Sequence, residues 1–90
     1  MPDGLQKNKN EYNPDKVTSP GDTIKEILEE KNITVQEFSL SMGLTIPRIL
    51  GIIKNIESIS ENIANRLQTT LDIPAAFWIT KEKLYRNSLN

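Results

Sequence analysis

The chain has 90 residues, a formal net charge of -1, and neither cysteine nor histidine. That length makes one small domain that buries only about 60% of the surface its unfolded form exposes, so pairing with a copy of itself or a partner is expected. The missing thiol and imidazole groups exclude disulfides, thiolate chemistry and the usual zinc ligands, and the near-neutral charge weighs against strong nonspecific binding to nucleic acid, although only the local field at a binding face matters.

Residues 1–18 read as a flexible polar arm, with Pro2, Gly4 and Pro14 among polar side chains and only Leu5, Tyr12 and Val17 as sizeable apolar groups. Lys7, Lys9 and Lys16 are either phosphate contacts or a solvated tail, and Tyr12 and Val17 can pack on the domain edge. The start lacks the apolar run of a signal peptide, and no segment approaches the roughly 20 apolar residues of a membrane span. A cytoplasmic protein with no membrane partner is expected.

The domain proper, residues 19–90, opens at Ser19-Pro20-Gly21-Asp22. Ser19 caps the first helix, Pro20 suits its first turn, and Asp22 sits at the positive end. Ile24, Ile27 and Leu28 form its buried stripe, Lys25 and Glu29 are an i,i+4 ion-pair candidate, and the helix ends near Lys31-Asn32. Thr34 and Glu37 are spaced as a capping box for a second helix, Val35 to Met42, in which Phe38 and Met42 share a face. Gly43 can take the left-handed conformation that stops it. Thr45 then caps a third helix, from Ile46 to about Lys54, with Pro47 in its first turn and Ile49, Ile52 and Ile53 on its buried side. Gly51 lies inside this helix at a propensity cost of about 1 kcal/mol relative to Ala; it can allow the close approach of another backbone, and it leaves a bare spot on the candidate reading face. Two short helices joined by a tight glycine turn form a helix-turn-helix, whose second helix can enter a DNA major groove.

After a loop at residues 55–58, Ser60 caps a fourth helix holding Ile63, Ala64, Leu67 and Leu71, with Ile59 placed to pack on Ile63. Pro74 introduces a fifth, from Ala75 to about Leu89, whose large apolar groups are Phe77, Trp78, Leu84 and Tyr85. Phe77 and Trp78 point about 100° apart, so one small core need not cover both: each can fill the core, and one is free for a dimer contact. The fold class is all-α, with five helices around a central helix-turn-helix. Catalysis is not expected: Asp15, Asp22 and Glu26 have no partner that would make an acid–base pair, and Gly4, Gly21, Gly43 and Gly51 form no phosphate-cradling loop. No cofactor or metal is called for.

Several stretches carry a family likeness: YNPDKVTSPGDTIKEILEEKNIT, FSLSMGLTIPRIL, ISENIANRL and IPAAFWI, together spanning about Tyr12 to Tyr85. They resemble the helix-turn-helix antitoxins of the HigA type, within the wider lambda-repressor-like superfamily. The resemblance implies a homodimer that binds a palindromic operator in double-stranded DNA and represses its own operon, with a RelE-like ribonuclease toxin as a partner of most members. It implies base-facing residues at Thr45, Ile46, Pro47, Arg48 and Gly51, and a last helix that takes part in dimerisation, for which Phe77, Trp78, Leu84 and Tyr85 are the candidates. Arg48 can bond bidentately to guanine or be a solvated cation, while Gln36, Thr45 and Lys54 can reach phosphates or serve only as surface, cap and helix-end residues. Ile46 can meet a thymine methyl, the core or a protein partner. The chain departs from the pattern where the family has Gly and then basic residues after the third helix. Asn55 can replace the Gly, but Ile56 and Glu57 remove phosphate contacts, and Glu57 is expected to repel DNA. The alternative function is a protein-binding antitoxin or phage accessory protein that has kept the fold and lost most DNA binding.

Overall fold

The computed structural model describes residues 18–89. Within them lie five helices: α1 (Pro20–Lys31), α2 (Val35–Met42), α3 (Ile46–Ile53), α4 (Glu61–Leu71) and α5 (Ala75–Ser88). The expected arm falls outside the described residues, apart from the exposed Thr18.

The helix starts follow from their caps. The Ser19, Thr34, Thr45 and Ser60 side chains each accept from a backbone N–H three residues on, and Thr34 and Glu37 complete a reciprocal capping box. α5 starts differently. Pro74 offers no side-chain cap, and Gln68 of α4 supplies one, accepting from the Ala75 N–H at 2.8 Å.

The helix ends share a second device. Asn32, Gly43, Asn55 and Asp72 all adopt positive φ, from 59° to 70°. After α3, the Asn55 N–H donates to the Ile52 carbonyl and the Ile56 N–H to the Gly51 carbonyl, which is the paired bonding of a Schellman motif. The ends of α1 and α2 close in the same way, at Asn32-Ile33 and Gly43-Leu44. Such ends turn the chain sharply enough for helices this short to fold back on one another.

The core gathers Ile24 and Leu28 from α1, Phe38 and Met42 from α2, Ile49 and Ile52 from α3, Ile63, Ala64, Leu67 and Leu71 from α4, Trp78 from α5, and Ile59 from the loop before α4. α3 packs on α1 and α2, and α5 on α4 and α1. Of the adjacent pair on α5, Trp78 enters this core; it is fully buried, with its indole N–H unpaired, while neighbouring Phe77 stays 43% exposed and meets it edge to face. Trp78 is therefore corrected from candidate dimer contact to core residue. It follows Ala75 by three positions on the face that lies against α4, and one turn of helix cannot bring Phe77 to the same side. Ser39, small and buried, donates its hydroxyl to the Leu44 carbonyl and so stays satisfied inside. Lys25 and Glu29 do not pair; the ion pairs among the described residues are Arg48–Glu57 and Arg86–Glu82.

The close backbone approach expected at Gly51 occurs instead at Gly21. A Cβ at Gly21 would lie 2.1 Å from the Ile53 carbonyl oxygen and 2.7 Å from that of Ile52, whereas at Gly51 it would meet only the Glu57 Cβ at 3.9 Å. The two glycines should therefore respond oppositely to alanine. Gly21→Ala should destabilise by about 3 kcal/mol or more, because backbone must move. Gly51→Ala should stabilise by up to about 1 kcal/mol through helix propensity. Urea unfolding of both variants checks this, and equal effects would contradict the packing described.

Candidate nucleic-acid interface

The helix-turn-helix is held from three sides. At its turn, Gly43 has φ 70°, and Arg66 of α4 donates to the Met42 carbonyl at 2.7 Å while its Nε bonds Asn62. That contact gives a cation to the negative end of α2 and satisfies a carbonyl the helix leaves open. At the far end of α3, Asn55 joins three elements. Its Oδ1 accepts from the Gly21 N–H at 3.0 Å, its Nδ2 donates to the Ser19 hydroxyl at 2.9 Å, and its carbonyl accepts from Arg86 of α5 at 3.4 Å. Beneath α3, buried Ile49 and Ile52 fix its rotation.

That rotation sets what faces out. Thr45, Ile46, Pro47, Arg48 and Lys54 are exposed on α3 and its caps, as is Gln36 at the start of α2, and Gly51 is half-buried. Six of the seven candidate DNA contacts thus lie on open surface. Thr45 already uses its hydroxyl as a cap toward the Arg48 N–H, at 3.4 Å. Ile46 and Leu50, one turn apart, are both exposed, and Ile56 is 78% exposed because its partner position in the Schellman motif is Gly51, which has no side chain to pack against. Arg48 is the single charged residue within α3.

Arg48 is not free. Its Nε donates to one Glu57 carboxylate oxygen at 3.3 Å and an Nη donates to the other. Glu57 is tethered in turn by its N–H to the Gly51 carbonyl, 3.1 Å away. Glu57, expected to repel DNA, also reaches back along the helix and grips the arginine. Its carboxyl is held below the usual range, mainly by the hydrogen bond from Arg48, with partial desolvation opposing and Coulomb attraction adding to the lowering. The Arg48 guanidinium is held above its ordinary value by the same contact.

On α5, Phe77 and Leu84 are exposed seven residues apart on one face, with Lys81 over the Phe77 ring, and Tyr85 is half-buried. Among the described residues no group of His, Cys, Asp or Glu is placed to hold a metal, and no helix is long and apolar enough to cross a membrane.

Sequence reasoning missed the functions of Asn55, Arg66 and Gln68. Asn55 was readable as a left-handed helix end, but its bonds to Ser19 and Gly21 cross more than thirty residues, and no local pattern announces them.

Because the Glu57 pKa is lowered in the folded state, the Arg48 tie contributes above the ordinary carboxylate range and is lost as pH falls through the folded value. A carbon-13 titration of the Glu57 carboxyl should have its midpoint below that in an Arg48→Ala variant. Identical midpoints would mean that the pair does not form in solution.

No protein-family model matches the sequence, and the comparison with curated proteins finds no match. Solved structures do match. Antitoxin HigA of Pseudomonas aeruginosa, solved with the higBA promoter, is 24% identical, with 82% of each chain covered and a TM-score of 0.76. A candidate antidote protein of a plasmid maintenance system from Nostoc punctiforme is 27% identical, with 73% of this chain and 72% of that one covered and a TM-score of 0.70. An addiction module antidote protein of a HigA family from Coxiella burnetii is 17% identical over 82% of each chain, with a TM-score of 0.74. The chain has the five-helix, helix-turn-helix fold of the HigA-type antitoxins.

Proposed function

We propose that the protein is a sequence-specific, double-stranded DNA-binding repressor that acts as a homodimer, and the antitoxin of a HigBA-like toxin–antitoxin pair that represses its own operon. The observation that carries this reading is the outward presentation of Thr45, Ile46, Pro47 and Arg48 on the first turn of α3, in a fold shared with an antitoxin solved with promoter DNA. In this role α3 enters the major groove, Arg48 reads a base edge, and Gln36, Thr45 and Lys54 meet phosphates. The α5 face of Phe77 and Leu84, extended by Tyr85, is the surface through which two copies pair. A second copy supplies a second α3 for the other half of a palindromic site, about one helical turn of DNA away. Pairing also doubles a small set of phosphate contacts, which a single domain with few outward cations needs. The protein works by binding, in the cytoplasm, without cofactor or chemistry, and a RelE-like ribonuclease is the toxin it would silence.

One observation favours the alternative, a protein-binding antitoxin with little DNA affinity. Ile46, Leu50 and Ile56 make the outer surface of α3 and the turn after it more apolar than phosphate contact requires.

Binding of the purified protein to the DNA upstream of its own gene, across a salt series, separates the two. The repressor reading expects preference for that DNA over bulk DNA and a shallow salt slope. Arg48→Ala should cut specific binding by about tenfold or more, the worth of a bidentate base contact. No preference even at low salt would rule out the repressor and leave the alternative.

A further inference from the structure

The Arg48–Glu57 contact admits a sharper role than charge neutralisation. An arginine presents its donors in a rigid planar fork with more than one usable edge. Glu57 takes the edge formed by Nε and one Nη. The end of the guanidinium, with both Nη groups, keeps two parallel N–H donors directed away from the carboxylate, and Arg48 has no other side-chain hydrogen bond among the described residues. Two parallel donors match the O6 and N7 acceptors of guanine in the major groove. We infer that Glu57 is a positioning residue that holds Arg48 for end-on reading of a guanine and discourages its use as a general phosphate contact.

Three features support this over simple competition for the arginine. Glu57 is fixed at its own backbone by the bond to the Gly51 carbonyl, so its carboxylate, from the turn after α3, is held against the helix that carries Arg48. Gly51 lies three residues beyond Arg48, on the same side of α3, where a long side chain would stand between the two. The nearest atom to an added Cβ there is the Glu57 Cβ, so the glycine leaves the path of Glu57 open. Finally, an exposed arginine otherwise loses much rotamer freedom when it docks, and one already held in a bidentate pair loses less. The carboxylate also partly cancels the charge that would draw Arg48 to any phosphate, so it costs nonspecific affinity while sharpening base choice.

The inference rests on the DNA-binding reading and is tested so that the two fail separately. The wild type and the Glu57→Ala, Glu57→Gln and Arg48→Ala variants are each taken through selection from a pool of randomised duplexes. Each is then titrated with the wild-type-selected duplex, with that duplex carrying adenine at the fixed guanine, and with bulk genomic DNA. Circular dichroism melts confirm that each variant is folded. The wild type should select a motif with a guanine at one fixed position in each half-site. Glu57→Ala should bind bulk DNA more tightly than wild type, yet its preference for guanine over adenine at that position should fall by about tenfold. Glu57→Gln, which keeps one acceptor, should fall between the two. If Glu57→Ala keeps the full guanine preference, or gains equally on selected and bulk DNA, Glu57 is only a competitor and the positioning role is overturned. If the wild type selects no motif, the DNA-binding reading fails and takes this inference with it.

Discussion

The meeting of Gly21 with the end of α3 fixes where everything else in the fold can stand. The Ile53 carbonyl fills the space a side chain would take at Gly21, and Asn55 then bonds both the Gly21 N–H and the Ser19 hydroxyl. The first turn of α1 is thus stacked on the last turn of α3 without intervening side chains. Helix-to-helix approach this close leaves little freedom to slide or rotate. Arg86 brings α5 to the same point through the Asn55 carbonyl. The helix proposed to read DNA is consequently gripped at its rear end, and the first turn, with Thr45 through Arg48, is the part left to project.

This arrangement explains why some of the molecule was readable in the chain and some was not. Caps and left-handed ends are decided by residues within a turn of one another, so Ser19, Thr34, Gly43, Thr45 and Ser60 announced the helices with little error in their bounds. The buried stripes were legible for the same reason, since 3.6-residue periodicity is a local property. The choice between Phe77 and Trp78 was not local. It depends on how α5 is rotated against α4, which the Gln68 cap on Ala75 and the packing of the two helices decide. Gly21 and Gly51 were indistinguishable by sequence as sites of close approach, because the deciding neighbour of Gly21 is a carbonyl more than thirty positions away. The pairing of Glu57 with Arg48 was not legible because the two lie nine residues apart, across a helix and a turn.

The interface itself is chemically spare. α3 offers one guanidinium and a set of aliphatic side chains, Ile46 and Leu50 prominent among them. In the proposed role such a helix would have little means of holding DNA by charge and would rely on shape, on methyl contacts and on a few directed bonds. Within that economy the orientation of its single arginine carries more weight than in a helix rich in cations, which is why the residue that holds it matters.

Three of the four left-handed helix ends are Asn32, Asn55 and Asp72 rather than glycine. Each holds an L-residue in a conformation it adopts less readily than glycine does, at a cost of up to about 1 kcal/mol. Against a net stability of roughly 5–15 kcal/mol for ordinary domains, that is a considerable burden for so small a molecule. It keeps the opened forms of the chain more populated, and proteases in a cell act on just those forms. The same backbone turns that let short helices fold together would thus leave the chain easier for a protease to open than glycine ends would.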